Sequence, residues 1–419
     1  MQIVVAGQGY VGLPLAVRAA EVGHSVIGYD VDPHRVQELA AGQSHVEDVT
    51  SDRLRAVLDS GAYSATADAA ALAGFDIAVI TVPTPLRDGT PDLSYIEACA
   101  RRLGEHLSRG ATVVLESTTY PGTTEELLLP ILETASGLKA GVDFLAGFSP
   151  ERIAPGNKKR WSFETTPKLV SGIDAESLNV IKCFYDGIFR ITVPVSEPKV
   201  AELAKLIENT FRLVNISMIN ELATLTNRLG VDIWEAIDAA ATKPFGFTRF
   251  TPGPGVGGHC LPVDPLFLSW KIREDLGVPF RFVELANDVN RHMPDYVVRR
   301  VVDALDKRGT AISGSRILLL GLTYKINATD LRESPSARVA ELLIGLGAKV
   351  RGADPNVPHG ETSKLNVPLV DASAQEIAAA DAVVLLMDHA AFDLAMIGKT
   401  APYVLDCRNR LSGPNVETL

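Results

Sequence analysis

Short apolar runs punctuate the first part of the chain, at residues 3–6, 25–29, 76–82, 112–115, 144–148, 169–171 and 191–195. They are continuous rather than alternating, as parallel strands covered on both faces must be. Between them, residues 13–22, 33–41, 93–107 and 175–185 carry helical spacing. Strand and helix in this alternation predict a doubly wound parallel sheet.

From about Pro198 the period changes. Residues 200–229 contain no proline and end at Gly230, a helix stop. Leu203, Ile207, Val214, Met218, Leu222 and Leu225 recur at steps of 3, 4 and 7, which predicts one long amphipathic helix. Helical patterns continue at 233–241, 283–290 and 294–308, broken by a Gly/Pro-rich loop at 251–259. Strand-like runs return at 316–321, 349–353, 382–387 and 403–406, with a helical stretch at 336–346. The predicted fold class is α/β: two Rossmann-like, doubly wound domains at 1–195 and 301–419, joined by an all-helical domain at 196–300.

Composition narrows the class. A chain of 419 residues, 46% hydrophobic and 22% charged, is ordinary globular material, and its length calls for two or three domains. Forty basic against 51 acidic residues leave a net charge of -11, which argues against a nucleic-acid or acidic-membrane binder. The cysteines, Cys99, Cys183, Cys260 and Cys407, form no CxxC pair and no ligand-spaced cluster, so neither a disulfide scaffold nor a metal site is expected. The chain opens directly on a strand-like segment, and no apolar run approaches membrane-spanning length. A soluble, cytoplasmic enzyme is the expectation.

The first chemical signal follows the first strand. Gly7-Gln8-Gly9-Tyr10-Val11-Gly12 precedes a helix, and Asp30 ends the second strand 23 residues after Gly7. Gly7 permits the tight turn, Gly9 lets backbone approach a pyrophosphate, and Gly12 lets helix pack on strand. The helix start offers unbonded amides to phosphate. Asp30 accepts ribose hydroxyls and repels a 2′-phosphate, so the pattern predicts NAD rather than NADP. Arg35 either weakens that preference or braces the adenosine pocket.

The second signal is the segment Gly253-Pro-Gly-Val-Gly-Gly-His-Cys-Leu-Pro-Val-Asp-Pro265. Glycine this dense is costly in backbone entropy and suits main chain that passes close to a ligand. Cys260 and Asp264 at its end suggest a nucleophile beside a base or a water-orienting group. His259 either lowers the thiol pKa or diverges from it. The other three cysteines lie in apolar helix or strand contexts and read as small buried hydrophobes. On the long helix Lys205 and Asn209 are spaced i, i+4 off the apolar stripe, either as a solvated face or as a pair addressing one substrate oxygen.

Seven motifs in order resemble the nucleotide-sugar 6-dehydrogenases, the family of UDP-glucose, GDP-mannose and UDP-N-acetylhexosamine dehydrogenases. They are the glycine turn at Gly7, Thr-Val-Pro-Thr-Pro at 81–85, Glu-Ser-Thr at 116–118, Ser-Pro-Glu-Arg at 149–152, Lys-Leu-Ile-Glu-Asn at 205–209, Gly-Gly-His-Cys at 257–260, and Gly-Leu-Thr-Tyr-Lys at 321–325 with Arg-Glu-Ser-Pro at 332–335. The resemblance implies two successive NAD-dependent oxidations of a sugar C6 alcohol to a carboxylate. It implies cofactor contacts at Gly7, Gly9, Tyr10, Val11, Gly12, Asp30, Arg35, Thr84 and Thr118. Cys260 would be the nucleophile, Lys205 and Asn209 would stabilise oxyanions, Asp264 would assist proton transfer through water, Glu151 would direct thioester hydrolysis, and Thr118 would hold a water. Substrate contacts would come from Arg152, Lys205, Asn209, Arg249, Gly257, Lys325 and Arg332, with Arg249 reaching the sugar of its own or the partner subunit. The basic run at 158–160 either approaches the diphosphate or is a solvated loop. The long helix would mediate a homodimer.

Two departures bear on substrate. Relatives acting on UDP-glucose carry Lys before the aspartate of the thiol loop and a second glutamate four residues after the first; this chain has Val263 and Pro155. Both features resemble the branch acting on UDP-N-acetylhexosamines, which is therefore preferred, with UDP-glucose as the alternative. A β-hydroxyacid dehydrogenase shares the nucleotide fold but has no need of Cys260. A non-catalytic nucleotide-sugar sensor has no need of Cys260, Lys205, Asn209 and Asp264 together.

Overall fold

The computed structural model describes residues 1–152, 162–258, 260–358 and 366–419. Two compact units emerge: Met1–Glu208 with Leu266–Gly277, and Asn209–Pro265 with Val278–Leu419.

The first unit is built on six strands: β1 (Gln2–Ala6), β2 (Ser25–Tyr29), β3 (Tyr63–Thr66), β4 (Ile77–Ile80), then, after a hairpin of β5 (Leu86–Arg87) and β6 (Thr90–Pro91), β7 (Thr112–Leu115) and β8 (Leu145–Phe148). Their order is β3-β2-β1-β4-β7-β8, with every neighbour parallel. The chain reverses direction across the sheet between β1 and β4, where a doubly wound fold presents its ligand crevice. β9 (Lys168–Val170) and β10 (Thr192–Pro194) form a separate parallel pair. β3 and the hairpin were not anticipated: Tyr-Ser-Ala-Thr at β3 is half polar, because it lies at the sheet edge and is covered less completely.

The second unit holds a five-stranded parallel sheet, β12-β11-β13-β14-β15, from β11 (Arg316–Leu320), β12 (Lys349–Ala353), β13 (Ala382–Leu385), β14 (Val404–Asp406) and β15 (Val416–Thr418). Apolar cores on both faces, around Val301, Leu319 and Leu405 on one and Leu320, Ile377 and Ile397 on the other, explain its unbroken apolar strands.

Three helical readings change. The patterns at 283–290 and 294–308 are one helix, Arg281–Asp306, running through Pro294. The stretch after the glycine loop is also a helix, Cys260–Leu276, which places Cys260 and Asp264 on its first turns rather than at the end of a loop. Pro262 is its third residue, where the amide would have no intrahelical acceptor, and only Pro265 forfeits a bond. The long helix Pro198–Leu229 forms as expected and stops at Gly230, whose φ is +69°. The predicted stripe does not face inward, however. Leu203, Ile207, Met218, Leu222 and Leu225 are exposed, whereas the buried face combines Leu206, Leu213 and Ile219 with Glu202, Lys205, Asn209, Ser217 and Asn220.

Candidate active site

The glycine turn does what its spacing demands. Gly7 has a φ of +94°, and a methyl there would lie 2.7 Å from the Thr81 carbonyl oxygen. A methyl at Gly12 would collide with the Gly7 carbonyl and the Thr81 hydroxyl, so helix Gly12–Glu21 can seat on the sheet only with glycine here. At Gly9 a methyl would meet nothing within 4 Å, so the outer face of the turn is open where unbonded helix amides are available to a phosphate.

Gln8 ties this turn to the ribose-side acid, a role the motif's spacing did not disclose. Its backbone N–H donates to Asp30 Oδ2 at 2.8 Å, its amide donates to the Val5 carbonyl, and Tyr63 donates to its Oε1. Asp30 is 5% exposed, also accepts from the Asp32 amide, and pairs with Arg35 Nη1 at 3.0 Å. Arg35 thereby holds the Asp30 carboxylate in place. Thr84 is buried, Val11 and Thr118 are half-buried, and Tyr10 is exposed. Together these residues fit a dinucleotide: an open amide cradle, and an acid held in place at its far end.

Beside Thr118, the first unit contains a buried charge cluster absent from the candidate set. Glu116 Oε2 pairs with Lys168 Nζ at 3.0 Å, Tyr185 donates to Glu116 Oε1, and the ammonium lies 5.2 Å from the Tyr185 ring centroid. Burial pushes the Glu116 carboxyl up, and the Lys168 charge only partly opposes it. Burial and the adjacent Glu116 charge likewise raise the Tyr185 phenol. Glu116 sat in a quoted motif, but nothing local in sequence pointed to Lys168 and Tyr185, which come from 52 and 69 residues away.

Nearby, Glu151 is half-buried, and Arg152 forms a two-pronged ion pair with Glu208 at 2.6 and 3.3 Å while donating to the Pro167 carbonyl. Glu208 is on the long helix, as is Lys205. Lys205 is 8% exposed and, among the described residues, its ammonium makes no hydrogen bond or ion pair. It therefore belongs to neither the apolar stripe nor a solvated face.

In the second unit Asn209 is 5% and Asp264 1% exposed, and Asn209 Nδ2 donates to Asp264 Oδ2 at 2.6 Å. A bond this short between buried groups fixes the carboxylate's orientation. Cys260, one helical turn before Asp264, is exposed. The unbonded amides of that first turn favour negative charge. Cys99 and Cys407 are buried, and burial pushes their thiols up to about 12; Cys183, expected to be buried, faces out.

The glycines before Cys260 meet protein. A methyl at Gly258, where φ is +84°, would lie 2.5 Å from Tyr324 Cε2, and one at Gly257 would lie 2.7 Å from Tyr324 Cβ and from the Glu333 carbonyl. The Gly258 N–H donates to the Arg332 carbonyl. The segment leading to the thiol is thus seated on the 322–334 loop that carries Lys325 and Arg332. Lys325 is half-buried, and Arg332 pairs with Asp330 at 2.6 Å. Arg249 pairs with Asp238 at 2.7 Å on an exposed surface. His259, the basic run at 158–160 and Pro155 lie outside the described residues.

Models of the UDP-glucose/GDP-mannose dehydrogenase family match three segments: its NAD binding domain at residues 1–188, its central domain at 199–292 and its UDP binding domain at 318–413. The chain belongs to this family. A UDP-N-acetyl-D-mannosamine dehydrogenase from Pyrococcus horikoshii is 36% identical over 99% of this chain and 97% of its own length. A UDP-N-acetyl-D-glucosamine 6-dehydrogenase from Pseudomonas aeruginosa is 36% identical over 94% of this chain and 91% of its own. The solved structure of the UDP-D-ManNAc dehydrogenase from Pyrococcus horikoshii superposes with a TM-score of 0.91 at 34% identity, covering 100% and 99% of the two chains. As a member of the UDP-glucose/GDP-mannose dehydrogenase family, the protein is an oxidoreductase that uses NAD and acts on a nucleotide sugar. No helix among its described residues is long and apolar enough to cross a membrane.

Proposed function

We propose that this dehydrogenase converts C6 of a UDP-N-acetylhexosamine, UDP-GlcNAc or a C2 or C4 epimer, from alcohol to carboxylate through a covalent adduct on Cys260. The observation that carries this reading is an exposed thiol at a helix start, one turn before a buried carboxylate clamped by Asn209. The names of the two relatives, with Val263 and Pro155 in the positions that distinguish the UDP-glucose enzymes, support an N-acetylhexosamine.

NAD, when bound, accepts one hydride at each of two steps. Gly7, Gly9, Tyr10, Val11 and Gly12 would hold its pyrophosphate, Asp30 braced by Arg35 its adenosine ribose, and Thr84 and Thr118 the remainder. An aldehyde has no hydroxyl to oxidise, so the second step needs an addition. The Cys260 thiolate adds to the carbonyl carbon, giving a thiohemiacetal whose oxyanion the Lys205 ammonium and Asn209 amide stabilise. Loss of hydride leaves a thioester. Water, held by Thr118 and deprotonated with the help of Glu151 and Asp264, attacks it and returns the thiol. Alcohol, two NAD and one water thus yield carboxylate, two NADH and three protons. Arg152, Arg249, Gly257, Lys325 and Arg332 would contact the substrate, each arginine sharing its charge between its carboxylate partner and a diphosphate or sugar oxygen.

The exposed apolar stripe supports a homodimer through the long helix. Ile207, Phe211 and Met218 are about half exposed, and Phe211 and Met218 also line a cavity of about 510 Å³ with Phe245, Phe247 and Phe250. Such a face on a single chain calls for a partner surface.

The test is a substrate panel of UDP-GlcNAc, UDP-GalNAc, UDP-ManNAc, UDP-glucose and GDP-mannose, scored by NADH per sugar consumed. Two NADH per UDP-N-acetylhexosamine, with uronate formation abolished in Cys260→Ser, is the expected result. Preference for UDP-glucose would overturn the substrate assignment, and full uronate formation by Cys260→Ser would overturn the covalent mechanism.

A further inference from the structure

The second unit repeats the acid-to-turn device of the first. Asp354, immediately after β12, accepts from the Leu322 amide at 2.7 Å and the Thr323 amide at 3.1 Å, as Asp30 accepts from the Gln8 amide. In a dinucleotide fold that carboxylate would meet a ribose. Here it is 8% exposed and committed to another group, His389, which is 2% exposed.

Both nitrogens of His389 are engaged. Nε2 lies 3.0 Å from Asp354 Oδ2 and 3.1 Å from Thr323 Oγ1. Nδ1 accepts from the Asn327 backbone N–H at 2.9 Å and lies 3.0 Å from Asn356 Nδ2. A backbone amide can only donate, so Nδ1 carries no proton and the ring is the Nε2–H tautomer, donating toward Asp354. The contact is reciprocated: the Ala390 amide donates to Asn327 Oδ1 at 2.9 Å. Asn327 has a φ of +55°, a conformation that needs support from its surroundings. Thr323 extends the network by donating to the Lys325 carbonyl.

We propose that His389 is a positioning residue: anchored by Asp354 at one nitrogen and holding Asn327 at the other, it fixes the 322–334 loop. That loop carries Lys325 to the nucleotide sugar and, through Tyr324 and the Arg332 carbonyl, seats Gly257 and Gly258 ahead of Cys260. The inference rests on the roles assigned above to Lys325 and Cys260. It explains why an imidazole, with an acceptor and a donor on opposite edges of one rigid ring, is buried at this place.

The test separates the two edges of the ring. Asn at 389 keeps an acceptor near the position of Nδ1, whereas Gln keeps a polar group near Nε2 and leaves the Asn327 amide without its acceptor. Hydrogen exchange of the 322–334 and 253–258 amides in the full-length protein should accelerate about tenfold in His389→Gln, the loss of one buried hydrogen bond, and return toward wild type in His389→Asn. Amides of β11 and β13 should be unaffected. The KM for the nucleotide sugar should rise in His389→Gln by a similar factor, with kcat changing much less. Thr323→Val, which keeps the side-chain volume, should move the same readouts in the same direction and stands in if His389→Gln does not fold. Unchanged loop exchange and KM in His389→Gln, or in Thr323→Val, would overturn the proposal, as would acceleration spread evenly over the strands. Wild-type protein inactive on every nucleotide sugar would instead overturn the functional reading, while leaving the exchange result standing.

Discussion

Replacing Gly258 by alanine isolates the contact that seats the thiol segment. The substitution has two costs. A side chain at a φ of +84° is in the left-handed region, which costs about 1–2 kcal/mol for an L-residue. Its methyl would also lie 2.5 Å from Tyr324 Cε2 and 2.7 Å from Tyr324 Cζ, a clash of the kind that costs about 1–3 kcal/mol to relieve. Gly314 separates the two, because its φ is +86° but a methyl there would meet nothing within 4 Å. The backbone term is therefore common to Gly258→Ala and Gly314→Ala, and their difference reports the steric term alone. Calorimetric melting should place Gly258→Ala roughly 2–12 °C below Gly314→Ala, the range given by 1–3 kcal/mol in a domain of this size. Adding Tyr324→Ala should close that gap, giving a coupling of the same magnitude in the double-mutant cycle. Gly258→Ala should also lower kcat/KM while Gly314→Ala leaves it unchanged. Equal melting of the two alanine variants, or no relief from Tyr324→Ala, would refute the claim that these glycines exist to admit the 322–334 loop.

Three further outcomes follow from buried or exposed groups. Lys205→Met should lower kcat by about 10²–10³, as loss of an oxyanion donor does, while melting temperature holds or rises because a buried charge with no partner among the described residues has gone; a large fall in melting temperature would point to a structural role. Burial raises the Asp354 carboxyl, but hydrogen bonds from His389 and the backbone outweigh it and leave it net below its ordinary value. Its contribution to stability is then complete above about pH 4–5 and lost as pH falls toward the folded-state value, so Asp354→Asn should flatten the acid limb of a melting-temperature profile. In native protein at pH 8 two thiols, Cys183 and Cys260, should react rapidly with an aromatic disulfide, and one in Cys260→Ser; reaction of Cys99 or Cys407 before unfolding would contradict their burial and raised pKa.

Local signals were legible wherever the physics is local. Continuous apolar runs announced β1, β2, β4, β7 and β8, since strands covered on both faces cannot alternate, and Gly7 and Gly12 disclosed the glycine turn because a tight bend and a close helix admit no other residue there. The same logic misled at Pro294. Proline breaks isolated helices, but Arg281–Asp306, whose inner face from Val283 to Leu305 is buried and includes Pro294 itself, tolerates the missing hydrogen bond. The periodicity of the long helix was read correctly, yet which face turns inward was not determined by it. Apolar spacing says that two faces differ, and only tertiary structure shows Glu202, Lys205 and Asn209 buried while Ile207 and Met218 face out. Groups remote in sequence were likewise invisible until the chain was folded. Lys168 and Tyr185 beside Glu116, or Asp354 and His389 beside Asn327, have unremarkable neighbours in sequence and acquire meaning only from distances of about 3 Å in the folded chain. Element classes and the chemistry on offer are local properties that the residue order alone discloses; which charges are buried together, and which loop the thiol segment rests upon, depend on contacts between residues tens of positions apart and so emerge only in the folded chain.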